Sequence, residues 1–360
     1  MKKLIAILVV FALFATTAFA ADVSFGAWGR ADFVPIRLYV DGNDADNNLT
    51  LASTEVNWGE SYGGAPAFGL SWTLDGGEIG VSANFTWSPA GVSFDGKAYT
   101  WWKPLDAFTL GIGWYRWEVL RGVGGPESFA NYCGAGAFGE ENLFSRFDTN
   151  VGPIGGPGAI LQITPIENLY VGASIITGFN GVFEDVFKYS QYALGYDIPG
   201  IGLARAGYFG DIEAIQVAFA LKAIEGVGVD LGFTYKLGED LKDGAGNNIQ
   251  VNLVADIGIT DMIKVWFGVN GEFGEKDAGL LSFGLNPTFN LDFGTIGVGA
   301  YINLSFVKDS KADMGFDLYL AKDVGGGTFK AGVAARMTPA ANDKTDIAFC
   351  IPVEITYSIW

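Results

Sequence analysis

The sequence contains no histidine at all. That absence removes the Ser-His and Asp-His arrangements of many hydrolases, and nothing else clusters as a catalytic set, so no enzyme activity and no cofactor are expected. Cysteine is almost as scarce, with Cys133 and Cys350 the only two, which leaves one possible intrachain pairing. Charged side chains make up only 17% of the 360 residues, and the 22 basic ones are outnumbered by 40 acidic ones. A net charge of −18 repels a phosphate backbone, so nucleic acid is not an expected partner. Past residue 20 there is also no uninterrupted apolar run approaching the ~20 residues that a spanning helix needs.

What is present is hydrophobicity of another kind. Apolar residues reach 49% and aromatics 14%, and the mean hydropathy of +0.27 is high for a chain of pI near 4.3. The stretch from Ile249 to Gly271, "IQVNLVADIGITDMIKVWFGVNG", shows how this is distributed. Ile249, Val251, Leu253, Ala255, Ile257 and Ile259 fall at every second position, and after Thr260, Asp261 and Met262 the same period resumes at Ile263, Val265, Phe267 and Val269. Two strands with one apolar face, joined by a tight turn, give this pattern. Similar runs recur at 68–74, 79–87, 108–114, 169–175, 215–221, 227–237, 296–306, 314–320, 329–337 and 347–359. Weaker ones lie near 23–40, 97–102, 158–164, 190–198, 202–209 and 281–292. The 52 glycines suit tight turns and small inward positions better than long helices.

The connections alternate in length. Short ones are expected at 75–77, 103–107, 164–168, 197–202, 223–228, 260–262, 292–297 and 323–327, with longer ones near 41–65, 88–97, 118–157, 178–188, 238–248, 272–280, 307–313 and 338–346. The connection at 210–213 is short where this scheme calls for length. The fold class expected is all-β, a transmembrane antiparallel up-and-down β-barrel of about 16–18 strands, with long loops on one rim and short turns on the other. The polar phase of the strands then faces a wet lumen, and Asp230, Lys236, Asn252, Asp256, Lys264, Asp317, Lys330 and Arg336 are the candidate pore-lining residues. Trp72, Trp87, Trp101, Trp102, Trp114, Tyr235 and Tyr357 fall near strand ends, where aromatic girdles sit.

The N-terminus adds an address. Met1-Lys2-Lys3, the apolar "LIAILVVFALFA" and Ala18-Phe19-Ala20 make a secretory signal peptide cleaved after residue 20, with residues 21–360 expected as a single barrel domain. No cysteine stands beside the cleavage site, so lipid attachment is not expected there. Loss of Lys2 and Lys3 leaves 20 basic and 40 acidic residues, a charge of −20 that should draw cations toward the mouth.

With its signal peptide, alternating strands, loop asymmetry and aromatic terminal Trp360, the chain resembles a porin-type outer-membrane β-barrel over residues 21–360. Trp360 departs from that pattern, being out of phase with Ile355, Tyr357 and Ile359. The resemblance implies passive diffusion of small hydrophilic solutes or ions, contact with outer-membrane lipid in a diderm, Gram-negative-type bacterium, and a possible homotrimer. It also implies that the loop after the fifth strand, 118–157, folds into the lumen. If it does, Cys133 and Cys350 can meet as a disulfide; two separately buried thiols are the alternative. A substrate-specific channel, which needs a lumen-filling plug or an aromatic track, and a structural or adhesive barrel binding a surface partner through its long loops are the competing readings.

Two motifs are weaker. "GAGAFG" at 134–139 matches a dinucleotide fingerprint, but in an exported loop its glycines read as turn formers. Asp44, Asp46, Asn48 and Glu55 occupy calcium-loop spacing, yet Leu49 stands where that loop requires glycine. A solvated acidic loop is the simpler account.

Overall fold

The computed structural model describes residues 22–42, 49–51, 55–58, 68–88, 91–94, 98–114, 118–120, 157–176, 186, 188–210, 213–237, 247–274, 279–306, 312–340 and 344–359, with single positions at 122, 126, 129 and 133. The expected signal peptide, the glycine motif at 134–139, Trp360 and the calcium-loop candidates Asp44, Asp46 and Asn48 lie outside these residues. Glu55 opens a short strand.

The strands are β1 (Asp22–Val40), β2 (Leu49–Leu51), β3 (Glu55–Trp58), β4 (Phe68–Asp75), β5 (Ile79–Ser88), β6 (Gly91–Phe94), β7 (Tyr99–Leu105), β8 (Phe108–Trp114), β9 (Pro157–Ile163), β10 (Leu169–Ile176) and β11 (Gln191–Ile198). They continue with β12 (Gly202–Phe209), β13 (Ala214–Ile224), β14 (Val227–Lys236), β15 (Asn247–Thr260), β16 (Ile263–Gly274), β17 (Gly279–Leu291), β18 (Gly294–Ser305), β19 (Asp313–Val324), β20 (Gly327–Ala340) and β21 (Lys344–Ile359). Every pairing is antiparallel, and β1 pairs with β21 from Ala27↔Ile359 to Val40↔Ile347, so the sheet closes on itself.

Three short segments share positions in this ring. β2, β3 and β4 follow one another along the same side of β1, opposite Leu38–Val40, Ala31–Val34 and Asp22–Gly29 in turn, and form one interrupted strand. β6 and β7 likewise run in line along β5. Taking each composite as one, the 21 segments trace a circuit of 18 positions, within the expected 16–18. Four expected long connections are corrected. Those at 272–280 and 338–346 are short, since β16 ends at Gly274 and β17 starts at Gly279, and β20 ends at Ala340 and β21 starts at Lys344; the other two contain strand. Within 41–65 the chain returns to pair with β1, and within 88–97 Ser88 is already paired with Gly91. Both segments are too short to show a period of two.

The two faces follow from that period. On β15 the side chains of Val251 and Ile259 are exposed, whereas Asn252 and Val254 between them are buried. The same inversion holds around the ring: Leu194, Val217, Leu231, Phe233, Leu285, Phe316, Val333 and Phe349 point outward and exposed, while Asn270, Ser282, Asn303 and Asp317 are buried on the inner face. A soluble sheet turns its apolar side chains inward, so this polarity requires an apolar solvent outside.

Short turns gather on one rim. At the β4–β5 turn the Gly77 N–H donates to Asp75 Oδ1 at 2.8 Å, and Gly77 takes φ 80°, which glycine adopts without a Cβ clash. At the β15–β16 turn Thr260 Oγ1 accepts from the N–H groups of Met262 and Ile263 at 3.2 and 3.1 Å. β1 was a weak reading for a visible reason. Its register shifts between Phe33 and Ile36, so both of these face outward while Val34 is buried inside.

Candidate functional site

The ring makes the lumen the natural site, and one loop enters it. The segment after β8, the fifth position of the ring, begins with a single 3₁₀ turn, Glu118–Leu120. Leu120 is fully buried against Ala193 of β11 with Tyr170 of β10 beside it, over the bare backbone of Gly195, where any Cβ would collide with the leucine side chain. Arg205 of β12 donates from Nη1 to the Leu120 carbonyl at 3.4 Å and holds the Asp230 carboxylate of β14 with Nη2. Both partners of that ion pair are shut from solvent. Arg205 was absent from the candidate pore-lining residues, although an arginine set among alanines and glycines in "GLARAGYF" is the kind of inward charge the alternation can reveal.

Further along, Phe129 and Cys133 pack against the opposite wall with Val34, Trp266, Tyr301, Ala334, Ala348 and Cys350. Cys133 is bonded to Cys350 with a Cα–Cα distance of 5.6 Å. Cys350 lies on the inner face between exposed Phe349 and Ile351, as the strand phase requires. The Phe129 ring centre is 5.8 Å from that of Tyr319, and Lys330 Nζ stands 4.2 Å from the first ring and 4.1 Å from the second. A cation between two ring faces is attracted to both.

The eight candidate pore-lining residues therefore divide. Asp256 and Lys264 are exposed on the inner face near the short-turn rim, and Lys236 is half-buried. Asp230, Asn252, Asp317 and Arg336 are on the inner face too, but they are buried, and Asp317 has no exposed surface. A wet wall was expected at these positions. Arg336 instead grips Asp313 through Nε at 3.3 Å and Nη2 at 3.1 Å, the forked geometry that suits a carboxylate. Asn252, Asn270, Ser282 and Asn303 sit directly opposite one another across β15 to β18, a continuous uncharged row. Within it Ser282 Oγ donates to Asn303 Oδ1 and Gln250 Nε2 to Asn270 Oδ1 at 3.2 Å.

The aromatic assignments divide as well. Tyr235, Tyr357 and Trp102 are exposed on the outer face, but Trp101 is buried inside, over Gly80 and 5.7 Å from the Tyr99 ring, and is no part of a girdle. Of Trp72, Trp87 and Trp114 the side chains lie outside the described set. Beyond the strands, hydrogen bonding to Glu213 at 3.2 Å raises the Lys188 ammonium above its ordinary range, tying the loop before β11 to the short connection before β13. Among the described residues no group of three or more metal-ligating side chains is assembled.

This closed, inverted 18-position ring has the porin-type antiparallel β-barrel fold. Solved structures share the fold. OccK2 (OpdF) of Pseudomonas aeruginosa, determined in complex with glucuronate, matches 94% of this chain over 98% of its own at 13% identity, TM-score 0.57. OpdO and OpdQ of the same organism match 94% of this chain over 97% and 99% of theirs, at 10% and 12% identity, each with TM-score 0.55. No family model matches the sequence, and no curated protein matches it.

Proposed function

We propose that the protein is an outer-membrane porin, exported with removal of residues 1–20, that forms a cation-preferring aqueous channel for passive diffusion of small hydrophilic solutes. The observation that carries this reading is the inverted polarity of a closed ring, with apolar side chains outward and charges, amides and hydroxyls inward. Such a barrel has one path across the membrane, along its polar interior. The short-turn end, where Asp256 and Lys264 are exposed, is the open vestibule of that path. Cation preference rests on the charge of −20 left after removal of Lys2 and Lys3 (20 basic and 40 acidic residues), because the described wall itself mixes Asp230, Asp256, Asp317 and Glu354 with Arg37, Lys264, Lys330 and Arg336. Purified protein in a planar bilayer tests the reading directly: ohmic single-channel openings are expected, and a correctly folded barrel that stays silent in both conductance and vesicle-swelling assays would overturn it.

A second reading, a substrate-specific channel, is favoured by the loop held inside the lumen at Leu120, Phe129 and Cys133. Openings blocked by a particular solute would support it. Glucuronate, the ligand named with OccK2, is a reasonable first probe.

A further inference from the structure

Cys350 stands on the inner face of β21, six residues from Lys344 and nine from Ile359, the two ends of that strand. Opposite it are Arg37 of β1 and Ala334 of β20, so the pairings that close the ring also fix where this sulfur lies. At ~3.3 Å per residue and a tilt of ~40°, it is ~15 Å from one end of the strand along the barrel axis and ~23 Å from the other. Eighteen such strands ~4.8 Å apart make a ring ~35 Å across between backbones, or ~25 Å between inward side chains. The bond itself is covered: Cys133 is 1% and Cys350 3% exposed, and the carbonyl oxygen of fully buried Phe129 lies 3.9 Å from Cys350 Sγ.

Thiol–disulfide exchange needs a third sulfur in contact with one of the two that will be joined. A folded domain of ~100 residues is ~33 Å across, wider than this lumen, so no protein oxidase reaches Cys350 once β21 is paired on both sides. We propose that the chain is a substrate of a protein thiol–disulfide oxidase, and that the Cys133–Cys350 bond is made before β21 closes the ring. One cysteine thiolate attacks the oxidase disulfide, forming a mixed disulfide and releasing the oxidase's second sulfur as a thiolate. The other cysteine thiolate attacks the chain's own sulfur in that mixed disulfide and expels the oxidase's first sulfur. The chain gives up two electrons and two protons, and the oxidase disulfide becomes a dithiol. Because the sequence holds only these two cysteines, an open chain has one intramolecular pairing to make and needs no folded template to choose it. The barrel then closes around a chain already cross-linked from residue 133 to residue 350. This order of events holds whether or not the barrel conducts.

The test refolds the reduced full chain into lipid vesicles, scores folding by heat-dependent electrophoretic mobility, and then adds an oxidised thioredoxin-fold oxidase. The same oxidase is given to the reduced chain kept unfolded in urea, and a reduced two-cysteine peptide added to both mixtures calibrates its activity. Samples quenched in acid, unfolded and alkylated with a heavy maleimide report the thiols that remain. The folded barrel is expected to be oxidised at least twentyfold more slowly than the unfolded chain, and a smaller difference would overturn the order. A reduced chain that fails to fold where the oxidised one succeeds upholds it, since closure then waits for the bond. In cells, a pulse-labelled chain is expected to gain the bond before it gains the folded mobility; a folded form that appears first, with both thiols free, would overturn the order. Conductance enters none of these readouts, so a silent barrel tells against the channel reading alone.

Discussion

The most consequential single contact in the described lumen joins Arg205 to Asp230. Their side chains are 0% and 2% exposed, so each charge depends on the other for what water would have supplied. Replacing Asp230 by Ala leaves a buried guanidinium with the Leu120 carbonyl as its described partner, and we expect a loss of about 3–5 kcal/mol in denaturant unfolding of the barrel refolded in lipid. Removing both charges, with Arg205→Met and Asp230→Leu, should return most of that loss, because the uncompensated charge is gone. Gly195 acts at the same anchor by being small. In Gly195→Val the new side chain occupies the place of the Leu120 side chain, and the expected outcome is displacement of Leu120 from the wall, read as a single-channel conductance higher than wild type.

At the scale of the element, the β15–β16 hairpin gives the sharpest test of which face meets lipid. Leu253 and Asn252 are neighbours in β15 but belong to opposite faces. Leu253→Arg sets a charge against the hydrocarbon and should cost about 2–4 kcal/mol near the membrane midplane. Asn252→Ala exposes nothing to lipid and should cost clearly less; equal losses would contradict the barrel's polarity. The same hairpin fixes orientation. A bulky label applied to intact cells should react with a cysteine placed in the 238–246 connection and leave one at Asp261 untouched, and the reverse pattern would turn the barrel over. This hairpin was fully legible in the sequence because ten apolar residues keep one parity on each side of Thr260-Asp261-Met262. β1 was only a weak reading because the register shift at Phe33/Ile36 reverses parity halfway, so neither parity dominates its full length. In β2 and β6 there are too few residues for any period to emerge.

For the whole molecule, the formal charge of −20 without Lys2 and Lys3 (20 basic and 40 acidic residues) predicts that reversal potentials in a salt gradient will show cation preference, strongest at low ionic strength where screening is least. Anion preference would instead assign the selectivity to Arg37, Lys330 and Arg336, which face inward near Cys350 and Phe129.

What the sequence determined by itself was local and periodic: which residues form strands, which parity faces lipid, where the tight turns fall and hence an up-and-down barrel of about 18 strands. A strand records its two environments at every second residue, so no knowledge of distant contacts is needed to read it. The meeting of residues far apart in the chain was decided only by tertiary structure. Cys133 and Cys350 are 217 residues apart, and nothing in either neighbourhood says that the last strand, closing onto β1, sets Cys350 beside a residue of the loop that follows β8. Nor does the alternation separate an inward residue bathed in water, such as Lys264, from one buried beneath the inner surface, such as Asp317. Both stand in the inward phase of their strands, and the cover that buries one and spares the other is not written in that phase.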